Sequence, residues 1–172
     1  MVTVRPAQPG DAEAIREIYN QAVATTTATL DTSPRTPEGQ QAWMDAHNGL
    51  PYPALVAETI ADGTVVGYAS LSPYNPKPGY RGTAEHSLYV HADWQGKGIG
   101  AVLLSALITD AAQRGFITMV ALITADNVAS LRLHARYGFV DVGTLRRVGR
   151  KFDREVDVTF MQLFLDTPPH AA

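Results

Sequence analysis

One run constrains the fold of this chain more than any other: Tyr89-Val90-His91-Ala92-Asp93-Trp94-Gln95-Gly96-Lys97-Gly98-Ile99-Gly100-Ala101. An apolar, β-prone stretch, Thr83–His91, leads into it, and a strongly helical stretch, Ala101–Arg114, leaves it and closes at Gly115. A strand that enters a helix through glycines at alternate positions lets backbone approach a ligand closely. The free N–H groups of the helix's first turn point at that ligand, and the helix dipole favours negative charge there. The physics predicts a phosphate or pyrophosphate site. A Walker-type loop needs Ser or Thr after its lysine, whereas Lys97 is followed by Gly98. A dinucleotide fingerprint is met by Gly96, Gly98 and Ala101, but no Asp or Glu ends the next strand, Ile117–Ile123, to hold a ribose. A plain strand-to-helix turn remains the structural alternative, although it needs fewer glycines.

The rest of the chain reads as a mixed α/β domain. Val2–Arg5 is a short strand, and Pro9-Gly10-Asp11 opens a helix with Asp11 as N-cap and Ile15, Ile18 and Val23 on one face. Thr25–Leu30 is Thr-rich and favours an extended path. Thr36-Pro37 pairs a capping hydroxyl with a proline at the first helical position, and starts a second helix running to about His47. Ala54–Ile60 and Thr64–Leu71 flank Asp62-Gly63 as a hairpin. Ile117–Ile123 reads as a strand buried on both faces, Asn127–Tyr137 as a helix, and Phe139–Leu145 and Val156–Leu165 as two closing strands whose connection holds Gly149 and Asp153. Consecutive strands on short loops imply antiparallel pairing, and the strand–helix–strand unit 83–123 implies a right-handed parallel crossover.

Composition narrows the function. The 172 residues fit one domain, expected over 1–166 with a tail at 167–172. Fourteen Lys plus Arg against 17 Asp plus Glu leave a net charge of −3, without the basic excess of a nucleic-acid binder. No apolar run reaches the roughly 18 residues a membrane helix needs, and the start Met1-Val-Thr-Val-Arg-Pro lacks an apolar signal region, so a cytoplasmic protein is expected. Zero cysteines exclude a thiol nucleophile and any Cys-ligated metal. His47, His86, His91 and His170 share no metal-ligand spacing, so no metal is expected.

Gln95-Gly96-Lys97-Gly98-Ile99-Gly100 resembles the Gln/Arg-x-x-Gly-x-Gly/Ala signature of the GNAT superfamily of N-acetyltransferases. Downstream, Asn127-Val128-Ala129-Ser130 through Tyr137-Gly138-Phe139 resembles that superfamily's Asn-x-x-Ala/Ser helix closed by Gly-Phe. The resemblance implies the GNAT fold, a mostly antiparallel mixed sheet that splays after its fourth strand, with acetyl-CoA as co-substrate. It implies that the pantetheine arm meets the backbone of Leu88, Tyr89 and Val90, that the pyrophosphate meets the amides of Gln95, Gly96, Lys97, Gly98, Ile99 and Gly100, and that Asn127 and Ser130 contact the cofactor.

Within the superfamily, Ala84-Glu85-His86-Ser87-Leu88-Tyr89-Val90 resembles a segment of the phosphinothricin and methionine-sulfoximine acetyltransferases, as do Leu133-His134, Thr27–Thr32 and the two closing strands. That likeness implies a small amine acceptor carrying a carboxylate, and a homodimer. A carboxylate can take the attacking amine's proton, which makes Glu85 the candidate base. His134 stands where many relatives place a Tyr acid, and histidine titrates near neutrality; which of the two is base and which is acid stays open. The likeness assigns the acceptor's carboxylate to Arg81, with Lys77 and Tyr80 in the same loop and Leu30, His86 and Ser87 along the pocket. The basic stretch Arg146–Arg154 reads as a solvated hairpin or a partner contact. A polyamine or protein N-terminus as acceptor, and a non-catalytic CoA sensor, are the competing readings.

Overall fold

A computed structural model describes residues 1–49 and 51–165; the tail expected at 167–172 lies outside them. Seven strands form one sheet in the order β1-β2-β3-β4-β5-β7-β6. The strands are β1 (Val2–Pro6), β2 (Ala54–Thr59), β3 (Val65–Pro73), β4 (Thr83–Val90), β5 (Thr118–Thr124), β6 (Val140–Lys151) and β7 (Arg154–Phe164). The helices are α1 (Ala12–Thr25), α2 (Pro37–Ala46), α3 (Ile99–Gln113) and α4 (Val128–Arg136). All neighbouring strands pair antiparallel except β4 and β5, which run parallel and are joined through α3. The mixed, mostly antiparallel α/β fold expected from the sequence is the one formed.

The middle of the sheet is covered on both sides. Ile15, Ile18, Tyr19 and Val23 of α1 and Met44 of α2 pack on Val56 and Tyr68. Leu103, Leu104 and Leu107 of α3, all fully buried, pack on Leu55, Ala69, Leu71, Ala84 and Met119 from the other side. Burying each of those leucines is worth about 1.5–3 kcal/mol, which fixes α3 and the loop before it against the sheet.

Local signals behave as their chemistry dictates. Thr36 caps α2 by accepting the Gly39 N–H at 3.1 Å, with Pro37 in the first turn. Gly115 ends α3's C-terminal turn at φ +81°. Asp11 precedes α1 but does not cap it with its side chain: the carboxylate binds Arg5 at 2.7 Å and the Gln8 N–H at 2.7 Å. Burial pushes that carboxyl up, and the Arg5 and Gln8 hydrogen bonds outweigh it and hold it below its ordinary range.

Three expectations change. The Thr-rich segment after α1 is a loop, tied by Thr26 Oγ1 to the Ala22 carbonyl at 2.9 Å and by Thr27 Oγ1 to Asp126 at 2.9 Å. Its hydroxyls satisfy local acceptors, so it needs no strand partner. The closing strands are longer than expected. Gly149 lies inside β6, and the turn is Phe152-Asp153, both at positive φ (52° and 55°). Finally, β5 is not buried on both faces, for Leu122 is 41% exposed. Leu122 lines the opening where β4 and β5 separate, their pairing covering only Thr83–Glu85 against Thr118–Val120. Beyond it the two strands part.

Candidate active site

The parting of β4 and β5 is the site's founding feature. From His86 onward, the β5-facing edge of β4 has no strand partner among the described residues, because the register stops at Glu85↔Val120. Two cavities meet there. A small one of about 140 Å³ lies in the gap, lined by Glu85, His86, Ser87, Ile123 and His134 among others. A wide groove of about 870 Å³ continues from it along the start of α3 and α4. Leu88, Tyr89, Asn127, Ser130 and Ala28 border both.

The groove brings together most of the residues that the motifs singled out. Leu88, Tyr89, Val90, Gln95, Gly96, Gly98, Ile99, Gly100, Asn127 and Ser130 all line it. Gly98 sits at α3's N-cap at φ +81°, ψ 0°, a left-handed conformation that favours glycine. Gly100 is small for a different reason: a Cβ there would lie 3.3 Å from Leu133 Cδ2, so α4 packs close to the loop. Gln95 donates from Nε2 to the Val90 carbonyl at 3.2 Å, which ties the loop to the end of β4. Asn127 caps α4 by accepting the Ser130 N–H at 3.1 Å. Lys97 is not part of the groove wall; its ammonium lies 4.7 Å from the Trp94 ring centroid, a cation–π contact.

Strand alternation sorts the β4 side chains. Glu85, Ser87 and Tyr89 share one face; His86 shares the other with Ala84 and Leu88. Tyr89 stacks on Tyr68 and meets Tyr19 edge-on, at 5.4 and 5.3 Å between centroids, which places that face toward α1. Glu85 is half-buried at the cavity wall, and burial pushes its carboxyl above the ordinary glutamate range. His134, buried on α4, has Nδ1 2.7 Å from the Ser130 carbonyl and Nε2 3.1 Å from His86 Nε2. Burial lowers both imidazoles; His86, lowered further by its neighbour His134, reaches about 3.

The expected acceptor residues divide. Ser87 and His86 line the small cavity, but His86 is buried and bonded to His134, so it faces the helix and not an open pocket. Lys77, Tyr80 and Arg81 are exposed on the β3–β4 loop and line neither cavity. Leu30 packs against Gly149, where a Cβ would come within 2.5 Å of Leu30 Cδ1. This contact belongs to a clasp that the sequence did not disclose. Lys151, buried, donates to the Thr29 carbonyl at 2.8 Å, and Arg154 binds Asp126 at 2.5 Å, so the β6–β7 hairpin holds the Thr27–Leu30 loop against the site. Arg136 and Arg154 are groove-lining cations that sequence reasoning also missed. Arg147 and Arg150 pair with Glu155 and Asp153 in the same hairpin. Tyr137 packs on the core.

Among the described residues no group of three or more His, Asp or Glu is placed to hold a metal, and no helix is long and apolar enough to cross a membrane. The sequence model of the acetyltransferase (GNAT) family matches residues 14–139. A methionine sulfoximine/methionine sulfone acetyltransferase of Pseudomonas paraeruginosa is 48% identical over 164 residues, covering 95% of both chains. A phosphinothricin N-acetyltransferase of Streptomyces coelicolor is 40% identical over 162 residues, covering 94% of this chain and 95% of its own. A Salmonella typhimurium protein solved with its cofactor acetyl-CoA superposes with a TM-score of 0.92 at 46% identity, covering 99% of this chain and 96% of that one.

Proposed function

Because this chain belongs to the acetyltransferase (GNAT) family and is an acetyl-CoA-dependent N-acetyltransferase, we propose that its acceptor is the α-amine of a small amino-acid analogue such as methionine sulfoximine, methionine sulfone or phosphinothricin. The observation that carries this is the small cavity at the strand gap, open to the wide groove and bordered by a carboxylate with no ion-pair partner among the described residues. At about 140 Å³ it suits a thioester carbonyl and a compact amine better than a polypeptide end.

Acetyl-CoA supplies the thioester. The unpaired edge of Leu88–Val90 would hold the pantetheine arm, and the first-turn amides around Gly98, Ile99 and Gly100 would hold the pyrophosphate, with Arg136 supplying positive charge on the groove wall. Glu85 takes a proton from the acceptor's ammonium, directly or through water. The freed amine attacks the thioester carbon; the N–C bond forms, the C–S bond breaks, and the proton that the nitrogen sheds on becoming an amide balances the one the departing thiolate takes up to leave as a thiol. With no cysteine in the chain, attack within a ternary complex needs no acetyl-thiol intermediate on the protein.

The test is thiol release from acetyl-CoA against an amine panel. Turnover with methionine sulfoximine, methionine sulfone or phosphinothricin well above that with spermidine or an alanyl peptide is expected. A preference for the peptide or polyamine overturns the acceptor, and a blank across the panel leaves a CoA-binding sensor.

We further propose a homodimer built on β6. This edge strand exposes Val140, Val142, Leu145 and Val148, each more than half accessible at 54%, 62%, 51% and 53%. A long edge strand with an apolar face is a template for pairing with another chain. Sedimentation should give a dimer, and Val142→Lys a monomer; a monomeric wild type at micromolar concentration rejects the dimer.

A further inference from the structure

The two histidines in the gap form an isolated unit. His86 and His134 lie nearly parallel, 5.0 Å between centroids at 16°, and Phe139 meets both rings edge-on. The ring edges of Phe139 restrain both imidazoles from turning. Their proton positions follow from their partners. The Ser130 carbonyl can only accept, so His134 Nδ1 at 2.7 Å carries a proton. A neutral imidazole has one N–H, so His134 Nε2 is a bare acceptor, and His86 Nε2 at 3.1 Å must be the donor. His86 Nδ1 is then a bare lone pair, and it is buried with no hydrogen-bond partner among the described residues. Burial keeps both rings neutral near pH 7.

We propose that His86 is a positioning residue for acetyl transfer: by donating its Nε2 proton it holds His134 in the Nδ1–H tautomer with the Nε2 lone pair toward β4. The proposal rests on the acetyl-transfer function given above. Both nitrogens of His134 are occupied, so His134 gains a proton at Nε2 only if His86 changes state with it. One proton then enters at His86 Nδ1, the His86 Nε2 proton passes to His134, and the pair gains a single charge. The two rings hold one transferable proton between them and titrate as one unit. The titratable neighbours are Glu85 and Tyr89, on the opposite face of β4; β5 and Phe139 contribute none, and Arg132 and Arg136 of α4 are exposed. Ser130 and His86 hold both nitrogens of His134, so the unpartnered nitrogen of the pair is His86 Nδ1, and the pair exchanges its proton there.

Long-range ¹H–¹⁵N correlation spectra of ¹⁵N-histidine-labelled protein read the tautomers directly. His134 should show a protonated Nδ1 and a bare Nε2, and His86 the reverse. His86→Leu should mix the tautomers of His134, lower kcat by about tenfold to a hundredfold, shift the kcat–pH profile and leave KM for acetyl-CoA unchanged. His86→Gln, whose amide N–H can reach the same position, should restore both tautomer and profile. A wild type with His134 protonated on Nε2 overturns the proposal, whether or not any variant folds. So does His86→Leu with the wild-type kcat–pH profile. Expected tautomers in a protein that acetylates no amine would instead overturn the function on which the proposal rests.

Discussion

Replacing Glu85 with glutamine should lower kcat by about 10²–10⁴-fold while KM for acetyl-CoA hardly moves. That range is the typical worth of a positioned proton acceptor. The change keeps the side chain's size and removes only its capacity to take a proton. The groove proposed for the cofactor includes the ends of β4, α3 and α4 in its walls, and Glu85 lines only the small cavity beside it. Loss confined to kcat and kcat/KM for the amine is therefore the signature of a missing base. Steady-state kinetics with a saturating amine measure it, and a variant that retains full turnover removes Glu85 from the chemistry.

The same residue makes two pH statements. Burial raises the Glu85 pKa, so the acid limb of the kcat/KM profile should lie above the ordinary glutamate range, and it should vanish in Glu85→Gln. Stability runs the other way. A folded-state pKa above the unfolded one means that the contribution of the protonated form is present at low pH and lost as pH rises through the folded value. At neutral pH an ionised, half-buried carboxylate burdens the fold. Glu85→Gln should consequently melt no lower than the wild type at pH 7. A kinetic loss accompanied by an unchanged or higher Tm separates a chemical role from a structural one.

What the sequence discloses and what it hides divide along contact range. The Thr36 cap, the Asp62-Gly63 turn, the Gly115 helix end and the alternate glycines before α3 are decided within a few residues, so they are legible directly. The β6–β7 clasp is not. It needs Arg147 at φ +56° and a break in register between Leu145 and Gly149, and neither is written in local propensity. Its payoff lies far along the chain, where Lys151 reaches Thr29 and Arg154 reaches Asp126. The histidine pair is an intermediate case. Alternation along β4 already sets His86 opposite Glu85 and Ser87, and Ser130 and His134 share a helix face at i, i+4. Both signals were present in the chain, but only the packing of α4 over β4 joins them. Arg81 illustrates the converse: a cation in the right segment of sequence, left exposed on a loop outside both cavities.

Gly98→Val should raise KM for acetyl-CoA by roughly 5- to 30-fold with a smaller effect on kcat. Gly98 holds φ +81° at the start of α3, and no heavy atom lies within 4 Å of where a Cβ would be, so space is not the obstacle. Conformation is. A left-handed backbone costs an L-residue about 1–2 kcal/mol, and a β-branched one is the least able to adopt it. The loop can shed that strain by leaving the left-handed conformation, and doing so turns the first-turn amides of α3 away from the groove. Converted at about 1.4 kcal/mol per decade, the strain gives the stated range. Gly100→Ala provides the contrast. Its obstacle is Leu133 at 3.3 Å, which can shift by a few tenths of an ångström, so the amides stay aligned and KM should change much less. Titration of acetyl-CoA by calorimetry on both variants checks the order. If Gly100→Ala weakens binding as much as Gly98→Val, the groove is limited by packing between α3 and α4, and the left-handed turn is not what presents the amides.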